Sequence, residues 1–184
     1  EFESGKSRPR VAAPLPPAPP QTSAPAAIAG NDPGYASRPD DQSRLRALVV
    51  DDSPAVREQL SGALKRSGIA VETAENGAQA LSTLQHHSFD IAFLDVVMPG
   101  MDGYELCRKI KANAYLRGTP VLMLTSRSSP FDRARGALAG CDAYLVKPLT
   151  WETFHQTVHK TLTRHFGSDP TELTRRGYRL AQSA

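Results

Sequence analysis

The chain has 184 residues, 40% of them hydrophobic, and a formal net charge of +3. This length accommodates one ordinary domain with flanking segments. Lysine and arginine do not cluster in one segment, which argues against direct nucleic-acid binding. No apolar run approaches the roughly 18 residues that a membrane span needs. The two cysteines show no CxxC spacing or disulfide framework, so we expect free thiols in a reducing cytoplasm.

Residues 1–45 are rich in proline and alanine and contain almost no large apolar side chain. Such a segment cannot bury enough surface to offset its ordering entropy, so we predict a disordered linker. Its Pro14–Pro17 and Pro17–Pro20 spacings also match the PxxP pattern of polyproline-groove ligands, which leaves a docking role open. Because the sequence begins at Glu1 rather than Met, we expect a piece of a longer protein.

From residue 46 onward, short apolar runs alternate with helical patterns. Continuous apolar runs are typical of parallel strands that are covered on both faces. In the first helical pattern, Ser53 and Pro54 predict a capped start and Gly68 the end. The predicted strands span 47–50, 69–74, 91–94, 121–124 and 143–146. The alternation predicts an α/β domain over 46–163, with a doubly wound (βα)5 parallel sheet. Residues 164–184 form a C-terminal tail that has room for a short helix.

Polar side chains follow four of these strands. Asp51 and Asp52 follow the first strand, Asp95 the third, Thr125 the fourth and Lys147 the fifth. Because the carboxyl ends of parallel strands share one edge of the sheet, we expect these side chains to meet. Carboxylates without His or Cys favour a hard cation such as Mg²⁺, which would offset their mutual repulsion. With an ammonium and a hydroxyl beside them, they predict a site that receives a phosphoryl group on a carboxylate.

Four motifs then carry a resemblance to a known family. VVDD at 49–52, LDVVMPGMDG at 94–103, LTS at 124–126 and YLVKP at 144–148 resemble the motifs of response-regulator receiver domains of two-component signalling. The resemblance covers about residues 46–163, with the motifs in the same order and spacing. It implies a flavodoxin-like fold and a phosphorylation-dependent switch.

The resemblance also assigns roles to the acidic residues. It makes Asp95 the phosphoacceptor. It implies that Asp52 and Asp95 bind Mg²⁺ directly together with the backbone carbonyl of Val97, while Asp51 acts mainly through water. These residues would let the domain catalyse its own phosphorylation and dephosphorylation, although it is not a conventional enzyme.

The same resemblance assigns the switch. Lys147 contacts the phosphoryl group and is joined to Pro148 by a cis peptide bond. Thr125 moves toward the phosphoryl group, and Tyr144 moves inward when Thr125 moves.

The resemblance also implies the protein partners of the domain. A histidine kinase or a histidine phosphotransfer protein would supply the phosphoryl group. An output domain or a downstream protein would read the face formed by the fourth helix, fifth strand and fifth helix. The long linker fits the receiver part of a larger regulator or of a hybrid histidine kinase, and a free-standing receiver with a long tail is the third option.

Two other functions fit these residues less well. A pseudo-receiver, which binds proteins without phosphorylation, usually lacks part of the site that is intact here. A haloacid-dehalogenase-type phosphatase needs a second Asp two residues after its nucleophile, where this chain has Val97. His155 and His159 lie one helical turn apart, but no third ligand is evident, so we interpret them as a solvated helix face.

Overall fold

The computed structural model describes residues 44–167 and 170–179, so the predicted linker lies outside the described residues apart from its last two positions. Five strands and six helices follow in order within this part of the chain. The strands are β1 (Arg46–Val50), β2 (Ala70–Ala74), β3 (Ile91–Asp95), β4 (Val121–Thr125) and β5 (Ala143–Val146). The helices are α1 (Pro54–Arg66), α2 (Gly77–His86), α3 (Gly103–Ala112), α4 (Pro130–Ala139), α5 (Trp151–Phe166) and α6 (Pro170–Arg175). Within the described ranges, none of the helices combines the length and apolar character of a membrane span.

The five strands form one sheet in the order β2-β1-β3-β4-β5, and every neighbouring pair is parallel. Because successive side chains of a strand point to opposite faces, the sheet divides the core into two clusters. Val49 belongs to the cluster that contains the apolar residues of α1 and α5. Leu48 and Val50 belong to the cluster on the other face, with residues of α2, α3 and α4. The predicted doubly wound, flavodoxin-like α/β fold is confirmed.

Two local details differ from the interpretation of the sequence. The predicted helix start is confirmed, with Ser53 at the N-cap and Pro54 at the first position of α1, but the Ser53 side chain makes no capping hydrogen bond. Its backbone N–H donates to Asp51 Oδ1 at 2.9 Å.

His155 does not face solvent. It is 8% exposed, and its ring packs edge-on against Trp151 with 3.8 Å between the ring centroids. His155 Nδ1 also lies 3.5 Å from the hydroxyl of Ser67, just after α1, and the half-buried His159 stacks on the ring of Tyr178. A helical pattern alone did not reveal that other elements cover this face of α5.

The segment that contains α6 packs against the edge of the sheet opposite to the strand ends that carry the acids. Leu173 and Tyr178 are buried in the same cluster as the residues of α1 and α5. The backbone N–H of Arg179 donates to Ser67 O at 2.9 Å, just before β2 begins. Residues 170–179 therefore contribute side chains and backbone contacts to the folded unit.

Candidate functional site

One lysine joins two buried carboxylates at the carboxyl ends of β1 and β3. Lys147 Nζ donates to Asp51 Oδ2 at 2.7 Å and to Asp95 Oδ1 at 2.8 Å. Asp51 is 1% exposed and Asp95 is 5% exposed. Lys147 follows β5, which is separated from β3 by β4, so its long side chain reaches across the end of β4. The fold thus brings together three residues that are far apart in sequence.

The second oxygen of each carboxylate is held by a nearby backbone amide. Asp51 Oδ1 accepts from Ser53 N at 2.9 Å, and Asp95 Oδ2 accepts from Val97 N at 2.8 Å. Each acid therefore binds the amide two residues after it. Arg57 on α1 also donates to the backbone carbonyl of Asp51 at 2.6 Å. These contacts fix the positions of both carboxylates, and the contribution of Arg57 was not predicted from the sequence.

The charges at this edge do not balance. Burial raises the pKa of Asp95, and the hydrogen bond and charge of Lys147 offset part of that rise. Burial lowers the pKa of Lys147, but its hydrogen bonds to Asp51 and Asp95 outweigh this and raise it above the ordinary value. One ammonium thus serves two carboxylates, which leaves an excess negative charge in a largely buried site. A further cation, or removal of negative charge, would relieve this repulsion.

The donor set fits a hard divalent ion. The acids supply only oxygen atoms, and each carboxylate oxygen can accept more than one contact. Among the described residues, however, no three His, Cys, Asp or Glu side chains are already grouped as a metal site. One reason is that the side chain of Asp52 is exposed and does not join Asp51 and Asp95 at Lys147. It lines an open cleft of about 670 Å³ together with Asn76 and Pro99.

Thr125 and Tyr144 lie beside the site and are connected through Arg127. Thr125 is fully buried, and its Oγ1 accepts from Arg127 N at 3.0 Å. Tyr144 donates its hydroxyl proton to Arg127 O at 3.1 Å, and its oxygen lies 3.0 Å from the hydroxyl of Tyr104. The backbone N–H of Lys147 donates to Thr125 O at 2.7 Å. Tyr104 was not predicted as a site residue, although it directly follows Gly103 of the loop motif.

The peptide bond between Lys147 and Pro148 is cis, as the resemblance implied.

The chain is similar in sequence to several named proteins. The family model described as the response regulator receiver domain matches residues 47–159, which is more than half of the chain. Protein PilG of Pseudomonas aeruginosa is 41% identical over 108 residues, covering 59% of this chain and 80% of PilG. The gliding motility regulatory protein of Myxococcus xanthus is 43% identical over 104 residues, 56% of this chain and 13% of that protein. The transcriptional regulatory protein ResD of Bacillus subtilis is 38% identical over 111 residues, 60% of this chain and 45% of ResD. The chain thus matches less than half the length of the last two proteins.

Solved structures agree with this similarity. Chemotaxis response regulator CheY4 of Vibrio cholerae superposes with a TM-score of 0.62 and 36% identity, over 64% of this chain and 98% of CheY4. The signal receiver domain of a signal transduction histidine kinase from Syntrophus aciditrophicus gives 0.61 and 36%, over 65% of this chain and 90% of that domain. From the family match, the identities and the shared fold, the chain belongs to the response regulator receiver domain family of two-component signalling.

Proposed function

We propose that this receiver domain is a phosphorylation-dependent switch that accepts a phosphoryl group on Asp95. The observation that carries the proposal is the contact of 2.8 Å between Lys147 Nζ and Asp95 Oδ1, in a site that holds more carboxylate than ammonium charge. A carboxylate fixed by a backbone amide on one oxygen and by an ammonium on the other is already oriented for attack. Phosphoryl transfer depends mainly on such positioning and on electrostatic stabilisation.

The proposed donor is a phosphohistidine of a histidine kinase or of a histidine phosphotransfer protein. A carboxylate oxygen of Asp95 forms a bond to phosphorus while the bond from phosphorus to the imidazole nitrogen breaks. The products are an aspartyl phosphate and a histidine whose nitrogen takes up a proton. The ammonium of Lys147 contacts the attacking carboxylate, so it can also stabilise the negative charge that develops on the phosphoryl oxygens.

We propose Mg²⁺ as the cofactor, held by Asp51, Asp52, Asp95 and the backbone carbonyl of Val97. The excess negative charge around Lys147 supports this assignment, as does the all-oxygen donor set. When bound, the ion would neutralise part of the negative charge of the phosphoryl group. The protein residues hold the Asp95 carboxylate in place, and the exposed side chain of Asp52 can turn toward the site from the open cleft.

The output of the switch is proposed to be the face formed by α4, β5 and α5. Phosphorylation of Asp95 would draw the hydroxyl of Thr125 toward the new group, and Tyr144 would occupy the space that Thr125 leaves. Phe131 and Leu138 on α4 are 72% and 86% exposed, so α4 offers apolar side chains to an output domain or a downstream protein. We place the domain within a larger regulator or a hybrid histidine kinase. Its two free thiols fit the cytoplasm.

The proposal is tested by incubating the protein with acetyl phosphate and measuring its intact mass. With Mg²⁺ the wild type should gain one phosphoryl group, and with EDTA it should gain much less. Asp95→Asn should lose the gain, whereas Asp102→Asn, which alters an acid in the same loop, should keep it. If the wild type is not labelled under any condition, the chain is a pseudo-receiver that binds its partners without phosphorylation.

A further inference from the structure

Tyr104 is a fully buried tyrosine in the first turn of α3. Its hydroxyl donates to the backbone carbonyl of Asp132, in the first turn of α4, at 3.1 Å. The same hydroxyl lies 3.0 Å from the hydroxyl of Tyr144 on β5. Tyr144 in turn donates to the carbonyl of Arg127 at 3.1 Å. One buried phenol therefore connects α3 to α4 and β5, two of the three elements that form the proposed output face.

This network has fewer protons than contacts. Each tyrosine hydroxyl carries one proton, and the carbonyls of Arg127 and Asp132 can only accept. Three contacts of hydrogen-bond length are therefore served by two protons. When Tyr144 gives its proton to Arg127, the proton of Tyr104 has two competing acceptors, Asp132 O and the Tyr144 oxygen. The position of Tyr144 thus changes how strongly Tyr104 binds α4.

The network also touches the loop that carries the proposed phosphoacceptor. The backbone N–H of Gly103, next to Tyr104, donates to Val96 O at 3.1 Å. From α4, the guanidinium of Arg135 lies over the Tyr104 ring, 4.4 Å from its centroid, and 3.6 Å from the carboxylate of Asp102. Tyr104 is therefore held between the loop after Asp95 and the start of α4.

We propose that the Tyr104 hydroxyl is a further positioning group of the switch, which shares its proton between Tyr144 and α4. In this structure Tyr144 contacts both Arg127 O and the Tyr104 hydroxyl, and the proton is then divided between two acceptors; we take this as the inward position that phosphorylation favours. When Tyr144 swings away, the proton goes to Asp132 O alone, and α3 holds the first turn of α4 more firmly. This inference rests on the proposed function, because it gives a phosphoryl group on Asp95 a route to α4. In the simpler alternative, Tyr104 is a core aromatic whose hydroxyl serves Asp132 only.

The test compares the wild type, Tyr104→Phe, Tyr144→Phe and the double variant. Each is titrated with beryllofluoride and Mg²⁺ while the amide resonances of Asp132 and Arg133 are followed. Because each hydroxyl stabilises the inward position, each single change should weaken apparent beryllofluoride affinity by about threefold to tenfold. The double variant should bind beryllofluoride no more weakly than the weaker-binding single variant does. The change in the Asp132 amide resonance on binding should be smaller in Tyr104→Phe than in the wild type. Tyr115→Phe is the matched control, since Tyr115 is 95% exposed, and it should behave as the wild type.

Additive effects of the two changes would overturn the inference, as would a Tyr104→Phe protein with wild-type affinity and wild-type α4 shifts. Labelling by acetyl phosphate separates this failure from that of the proposed function, because Tyr104 does not touch the attacking carboxylate. If no protein is labelled, the proposed function fails. The same four proteins are then compared by their free energies of unfolding in urea, where non-additivity supports the shared proton and additivity rejects it.

Discussion

At the scale of single residues, Lys147 neutralises only part of the charge of two buried carboxylates. Lys147→Met should lower the free energy of unfolding by about 1–3 kcal/mol in EDTA, because Asp51 and Asp95 lose a charged hydrogen-bond donor. The variant should also gain more thermal stability from Mg²⁺ than the wild type does, because the ammonium no longer competes for the carboxylates. Thermal melts with Mg²⁺ and with EDTA measure both effects.

Lys111 provides the matched control, because its ammonium pairs with Asp142 at 2.9 Å, and neither residue belongs to the proposed site. Lys111→Met should lose stability without any added response to Mg²⁺. An equal response of both variants to Mg²⁺ would contradict the assignment of the ion to the strand-end acids.

His155 gives the domain a specific sensitivity to acid. Burial, and then the positive charge of Arg66, lower the pKa of His155 below its ordinary value, and Nε2 has no hydrogen-bond partner among the described residues. The unfolded chain therefore binds a proton more readily than the folded protein does. The free energy of unfolding should fall as pH drops below about 6.5, until the folded pKa is passed.

Urea unfolding at several pH values tests this sign. His155→Gln should flatten the decline below pH 6.5, although packing against Trp151 is also lost. His165→Gln, which changes an exposed histidine of the same helix, should retain the decline. A steep, unchanged decline in His155→Gln would assign the acid sensitivity to another group.

At the scale of elements, the α6 segment approaches the turn between α1 and β2 closely enough to require glycine. Gly68 has φ of +81°, and a Cβ there would lie 1.9 Å from Gly177 O. Gly68→Ala should therefore lower the free energy of unfolding by about 1–3 kcal/mol through backbone strain and displacement of the segment. Gly62→Ala, within α1, has only the end of Arg66 within reach at 3.5 Å, so it should be neutral or stabilising by up to about 1 kcal/mol. Urea denaturation of both variants checks the difference.

At the scale of the whole molecule, the sheet and the position of the site were predictable because four of the five strands are short apolar runs that end at, or just before, a polar residue of the site. The proximity of Asp51, Asp95 and Lys147 follows from the rule that the carboxyl ends of parallel strands lie at one edge of the sheet. Local patterns could not reveal the partner-dependent features. The burial of His155 depends on Trp151 and on Ser67, which follows α1. The role proposed for Tyr104 depends on contacts of its hydroxyl with residues 28 and 40 positions away in sequence.

The most direct test of the central proposal locates the phosphoryl group chemically. Protein incubated with acetyl phosphate and Mg²⁺ is treated with borohydride, which reduces an aspartyl phosphate to homoserine, and is then analysed by peptide mass spectrometry. Because Asp95 is fixed by Lys147 and by the amide of Val97, homoserine should be found at position 95 in the wild type. Protein kept without acetyl phosphate should contain none. Homoserine at position 51, 52 or 102, with Asp95 unmodified, would contradict the proposed phosphoacceptor.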